Sequence, residues 1–176
     1  MLKHFMDFVD QYQGPPLGIV ALGAGGSLSR LTTVPGVSRV LDHITNSWSK
    51  RSARDMLWEL DTQADTFKFV SSEVVEAIIH LESRDDDDVL PVAITGALTT
   101  NRWRKGDNHA YVAIGDEFYH IRLPKLTEEE YKLKGPLSIA MIREWEDMIV
   151  TMFVLKTLMT TLDWECPDNV HVEKLP

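Results

Sequence analysis

The residues best placed to do chemistry lie in the segment Leu17–Ser38. An apolar run holding Ile19 and Val20 leads into Gly23-Ala24-Gly25-Gly26-Ser27, and Leu28, Leu31 and Val34 follow at helical spacing. A strand, a glycine-rich turn and a helix start leave backbone N–H groups directed outward at the positive end of a helix, where an anion is stabilised. Gly25 and Gly26 lack a Cβ, so a ligand can approach the main chain closely there. The spacing matches neither the phosphate-binding loop ending in Gly-Lys-Ser/Thr nor the Gly-x-Gly-x-x-Gly fingerprint. A plain connecting turn therefore stands beside the anion site as a reading.

A second group of polar residues belongs to the same argument. Ser27 is either a nucleophile at the mouth of a helix or simply its N-cap. Lys50 is either a base, if burial lowers its pKa, or a cation for phosphate. Thr95-Gly96 and Asn101-Arg102, with Arg104 close behind, form a second candidate rim, and Ser47 joins the ligand-binding set with them. Trp48, Trp103 and Trp145 could stack on a base; Trp103, between Arg102 and Arg104, is the better candidate, whereas Trp145 reads as core. The six histidines show no metal-ligand spacing, and one cysteine cannot build a structural zinc site. Neither a metal nor a cofactor is expected. The run Asp85–Asp88 lacks the spaced ligands and glycine of a calcium loop and reads as a solvated loop.

Composition bounds what such a site could serve. The chain has 176 residues and a formal net charge of −9, which opposes general binding to a nucleic-acid backbone. Against that balance, cations gather after the glycine turn (Arg30, Arg39, Lys50, Arg51, Arg54) and again at Arg102, Arg104 and Lys105. Such grouping suits a small anion. Cys166 is the only cysteine, so no internal disulfide framework exists. No apolar stretch is long enough to span a membrane and no export leader is visible, which leads to the expectation of a cytoplasmic protein.

The elements that must position these residues follow from periodicity. Leu2 to about Gln13 places Leu2, Phe5, Met6 and Val9 on one helical face with Phe8 beside it, and Gly14-Pro15-Pro16 ends it. Val37 to Ser47 begins as helix and ends as a short strand, and Lys50–Leu60 reads as a helix before a polar loop over 61–67. Ser71 is placed to cap a helix whose stripe is Val74, Val75, Ile78 and Ile79. Val89–Leu98 is a second buried strand. His109–Ile114 and Phe118–Leu123, joined at Gly115-Asp116, form a hairpin. Thr127 caps a short helix, and a long helix over Ser138–Leu162 is apolar nearly all round in its second half. That half lies either in the core or in a subunit interface. The tail from about 163 is read as irregular. The sum is one α/β domain over 1–176, a three-layer α/β/α sandwich whose mixed, mostly parallel sheet carries helices on both faces. In such sheets ligands sit beyond the carboxyl ends of strands, which makes Gly23–Ser27 and Thr95–Asn101 two rims of one crevice.

Gly23–Arg39, Phe69-Val70-Ser71-Ser72-Glu73-Val74 and Ala93-Ile94-Thr95-Gly96, in that order and spacing, resemble the CinA C-terminal domain family. The resemblance extends over roughly Leu2–Leu162 and implies the fold of that family. Well-characterised members hydrolyse the carboxamide of nicotinamide mononucleotide with a nucleophilic serine, a tyrosine and a lysine. This chain departs from them: the serine position falls on Ala21 or Leu22, and Asn46-Ser47-Trp48-Ser49-Lys50-Arg51 has no tyrosine. It is closer to a divergent CinA-like branch with a Thr-Gly-Gly-Gly-Ser turn. Three functions remain open: a site for a small phosphorylated ligand such as a pyridine nucleotide, with the amidase machinery degenerate or altered; an active amidase using Ser27 and Lys50; and a non-catalytic subunit of a homo-oligomer.

Overall fold

The computed structural model describes residues 2–48, 51–52, 54–55, 68–83 and 88–176. Six strands form one sheet in the order β2-β1-β3-β4-β5-β6. They are β1 (Leu17–Leu22), β2 (Leu41–Ser47), β3 (Leu90–Ala97), β4 (Asn108–Ile114), β5 (Glu117–Leu123) and β6 (His171–Lys174). β1 lies parallel to both β2 and β3, while β4, β5 and β6 each add antiparallel to their neighbour. The sheet is thus mixed, with a parallel part, β2-β1-β3, centred on β1, which is buried along its whole length.

Alternation along the strands builds two separate apolar layers. Leu17, Ile19 and Ala21 of β1, Val92 and Ile94 of β3, and Ala110, Val112 and Ile114 of β4 point to one face. That face is covered by α1 (Leu2–Gln11), a 3-10 helix over Gly26–Thr33, and the long α4 (Pro136–Leu158). Val20, Leu22, Ala93 and Ala113 point the other way, against Val74, Val75, Ile78 and Ile79 of α2 (Ser72–Glu82). The short α3 (Glu128–Lys132) begins with a full capping box between Thr127 and Glu130, two reciprocal hydrogen bonds that satisfy otherwise orphaned N–H groups.

Several expectations are corrected. On α1 the buried face is Phe5, Phe8 and Val9, while Leu2 and Met6 are exposed. The aromatic rings win because Phe8 stacks on Tyr12 at the helix end. That end is closed by the Arg39 guanidinium, which donates to the carbonyls of Val9, Asp10 and Tyr12 and so satisfies the orphaned acceptors of the last turn. After the glycine turn the chain forms 3-10 rather than α-helix. Ser71 takes the N-cap position of α2, but its hydroxyl makes no cap hydrogen bond. Trp145 is partly exposed, and Glu146 and Asp147 are buried in its stead. The tail is not irregular throughout, since β6 pairs with β5 and completes the sheet edge. The expected helix over Lys50–Leu60 and loop over 61–67 fall mainly outside the described residues, though 51, 52, 54 and 55 are helical. Among the described residues no helix is long and apolar enough to cross a membrane.

His43 on the edge strand β2 links the sheet to α2. Its Nδ1 lies 2.9 Å from Asp42 and its Nε2 2.7 Å from Glu82. Burial alone would lower its pKa, but hydrogen bonds to Asp42 and Glu82 and their negative charges raise it above the ordinary 6.5. The folded state therefore binds this proton more tightly than the unfolded chain. The stabilisation is fully present below about pH 6.5 and is lost as pH rises through the raised folded value. Because the ring is partly exposed, the pair contributes less than about 1 kcal/mol. His43→Gln is expected to lower the urea midpoint at pH 6, with the gap to wild type closing by pH 9.

Candidate functional site

The crevice forms where β1, β2 and β3 end. Register sets Ser47, Leu22 and Thr95 in one row across these three strands. Beyond that row the chain turns away at Gly23, while β3 runs on beside β4 through Gly96 and Ala97 and leaves the sheet at Leu98, and a cavity of about 310 Å³ opens there. Phe69 and Val70, just before α2, close one side, and Trp48, Arg104 and Arg143 complete the lining. Trp48 stays 58% exposed, with the Arg143 guanidinium 5.6 Å from its ring centroid.

The glycine turn takes a form that the sequence reading did not foresee. Gly25 has φ of 77°, a left-handed conformation that favours glycine, and a Cβ there would also strike the Ile94 side chain. A Cβ on Gly26 would collide with the Trp48 indole. The N–H groups of Gly26 and Ser27, expected to face a ligand, donate instead to the Asp147 carboxylate of α4 at 3.1 and 2.8 Å. The turn does hold an anion, and that anion belongs to the chain itself.

The neighbouring Glu146 performs the same task for the other rim. It is 0% exposed and accepts from Thr99 N at 2.6 Å, Thr99 Oγ1 at 2.7 Å and Asn108 Nδ2 at 2.7 Å. Burial pushes its pKa up, while these three donors and the Arg143 charge oppose the rise. Asn108 Oδ1 in turn accepts from Arg104 at 2.8 Å, and the same Arg104 nitrogen donates to the carbonyls of Ala97 and Leu98. Arg143, one turn earlier on α4, bridges the rims by donating to Thr99 O at 2.8 Å and Gly23 O at 3.3 Å. Arg143, Glu146 and Asp147 thus tie both loops to one helix.

The sequence-derived candidates divide accordingly. Gly23, Ser47, Thr95, Gly96 and Arg104 line the crevice. Ala24, Gly25, Gly26 and Ser27 lie behind the lining, with Ala24 wholly buried. Asn101 and Arg102 are exposed and point outside it. Lys50 lies outside the described residues. Trp103 is held under the Lys125 ammonium, 5.0 Å from its centroid, with its Nε1 donating to Leu126 O. Missed altogether were Arg143, Glu146 and Asp147. Their one available signal was a charged trio at positions i, i+3 and i+4 of a helix, a spacing that puts them on one face.

A second cluster lies beside the crevice. The β4–β5 register brings His120 opposite Tyr111 and diagonal to His109, so that the two imidazoles lie 3.0 Å apart and Tyr111 stacks on His120. Burial first, then the charge of the neighbouring histidine, lowers the His109 pKa, and burial lowers that of His120. Among the described residues no three metal-ligating side chains converge.

The fold is that of a three-layer α/β sandwich with a parallel core. Solved proteins of the CinA, or competence/damage-inducible, superfamily share it. The competence/damage-inducible protein CihA from Agrobacterium tumefaciens matches at a TM-score of 0.51 and 20% identity, over 86% of this chain and 92% of that one. A CinA superfamily protein from Enterobacter cloacae matches at 0.54 and 14%, over 89% of each chain. A competence- or damage-inducible protein from Enterobacter asburiae matches at 0.56 and 13%, over 89% and 94%. At these identities the likeness is one of fold. No family profile matches the sequence, and neither does any curated protein.

One Glu146 oxygen accepts from the Thr99 N–H and the other from the Asn108 amide, so either orientation of an amide in its place sets N–H against N–H. Glu146→Gln is expected to destabilise the protein by about 2–4 kcal/mol, read as a fall in the urea unfolding free energy.

Proposed function

We propose that the chain binds a small phosphorylated ligand of pyridine-nucleotide type in the crevice beyond β1, β2 and β3, without hydrolysing it. The observation that carries this reading is the pairing of two guanidiniums, Arg104 and Arg143, with an open indole, Trp48, on a cavity of about 310 Å³. The volume sits at the small end of the roughly 300–1,000 Å³ typical of ligand clefts. A guanidinium carries five N–H donors, so each arginine retains donors for a phosphate beyond its bonds to backbone carbonyls. Trp48 and Phe69 offer flat apolar surface to a ring.

Binding is favoured over amide hydrolysis because, among the described residues, no base reaches either threonine hydroxyl of the lining. Thr95 donates its hydroxyl proton to Phe69 O and Thr100 to Arg102 O, and the described lining holds no aspartate, glutamate, histidine or lysine to act as base. Ser27 stands off the lining, its N–H engaged with Asp147. Nicotinamide mononucleotide is expected to raise the Tm while no ammonia is released, with the shift abolished in Arg143→Ala. Ammonia release at an enzymatic rate would restore the amidase reading, and a wild type indifferent to the nucleotide would remove the binding one.

A subunit role has its own support. Leu137, Met141 and Trp145 form an exposed row at i, i+4 and i+8 on the first half of α4, with Leu133 exposed just before it. If this row joins copies of the chain, sedimentation velocity is expected to show an oligomer that Met141→Glu dissociates.

A further inference from the structure

We infer that Asp147 is a positioning residue, an anion supplied by the chain to fix the glycine turn and, through it, the Trp48–Arg143 side of the crevice. Its two carboxylate oxygens each take one N–H from consecutive residues, Gly26 and Ser27, which lie more than a hundred positions away in the chain. This is the arrangement in which main-chain N–H groups hold a bound anion. The side chain is 8% exposed, so water competes little for either N–H. The turn so held is the surface on which Trp48 lies, since the Trp48 ring occupies the space that a Gly26 Cβ would need. Gly23, two residues before the left-handed Gly25, gives its carbonyl to Arg143 and its N–H to Ser47 O. The Asp147 carboxylate, the turn, the indole and the guanidinium form one continuous set of contacts. Without the carboxylate, two N–H groups lose their acceptor and the turn is released from α4.

The inference depends on the binding reading only where nucleotide affinity is measured, and its primary test does not use the nucleotide. Asp147→Ala removes the anion and leaves space for a small one from solution. Its Tm is expected to fall by about 5–10 °C, consistent with the loss of two charge-assisted hydrogen bonds in a protein of this size. Sodium formate is expected to recover most of that loss in a saturable titration, whereas wild type and Asp147→Asn, whose side chains still fill the cradle, show no saturable response. A folded Asp147→Ala protein that ignores formate, or a wild type that responds equally, overturns the inference. Should Asp147→Ala fail to fold, hydrogen exchange in Asp147→Asn decides: faster exchange confined to the peptide over 23–34 is expected, and unchanged exchange there refutes the role. A formate-rescued variant with a wild type that binds no nucleotide would leave the positioning role intact and remove only the ligand reading.

Discussion

Two adjacent carboxylates on one helix hold this site together. Side chains at consecutive helical positions diverge by about 100°, so a single helix can send Glu146 to one loop and Asp147 to the other. Glu146 takes the loop after β3 through Thr99 and Asn108, and Asp147 takes the loop after β1 through Gly26 and Ser27. Both loops leave the carboxyl ends of parallel strands, where the backbone has no further ladder partners and would otherwise be free to splay. Burying two carboxylates is costly unless donors surround them. Here five hydrogen bonds reach them, so removing either group would leave buried donors unpaired. The cost of burial and the definition of the crevice are therefore two aspects of one arrangement.

Much of the scaffold was legible because its signals are local. The continuous apolar runs of β1 and β3, the Gly115-Asp116 turn between β4 and β5, and the 3.6-residue stripe of α2 each follow from a few neighbouring side chains. The crevice at the strand ends also followed, since it depends on strand order more than on side-chain detail. What stayed hidden depends on partners distant in sequence. Asp147 looks like a solvated helical charge until the turn at Gly26 is placed against it. His109 and His120 look unrelated until the hairpin register puts them on a diagonal. β6 is only four residues long and polar at three of them, so nothing in its own pattern marks it as a strand.

At the glycine turn the N–H groups expected to face a ligand face the Asp147 carboxylate instead. Consecutive N–H groups at a turn attract negative charge, and here Asp147 supplies it. The chain satisfies them internally, which moves the positive character available to a ligand onto Arg104 and Arg143. Among the described residues no carboxylate contacts either arginine directly. Each is aimed by carbonyl oxygens of the rim loops, Ala97, Leu98, Thr99 and Gly23. A carbonyl orients a guanidinium through a hydrogen bond without cancelling its charge, so both cations reach the crevice with their charge intact. Glu146 and Asp147 stand one layer behind, where they set the loops in place, and the described lining carries Arg104, Arg143, Trp48 and Phe69 without a carboxylate. On the binding reading proposed above, this division lets a chain with a net charge of −9 offer a small anion a locally basic lining.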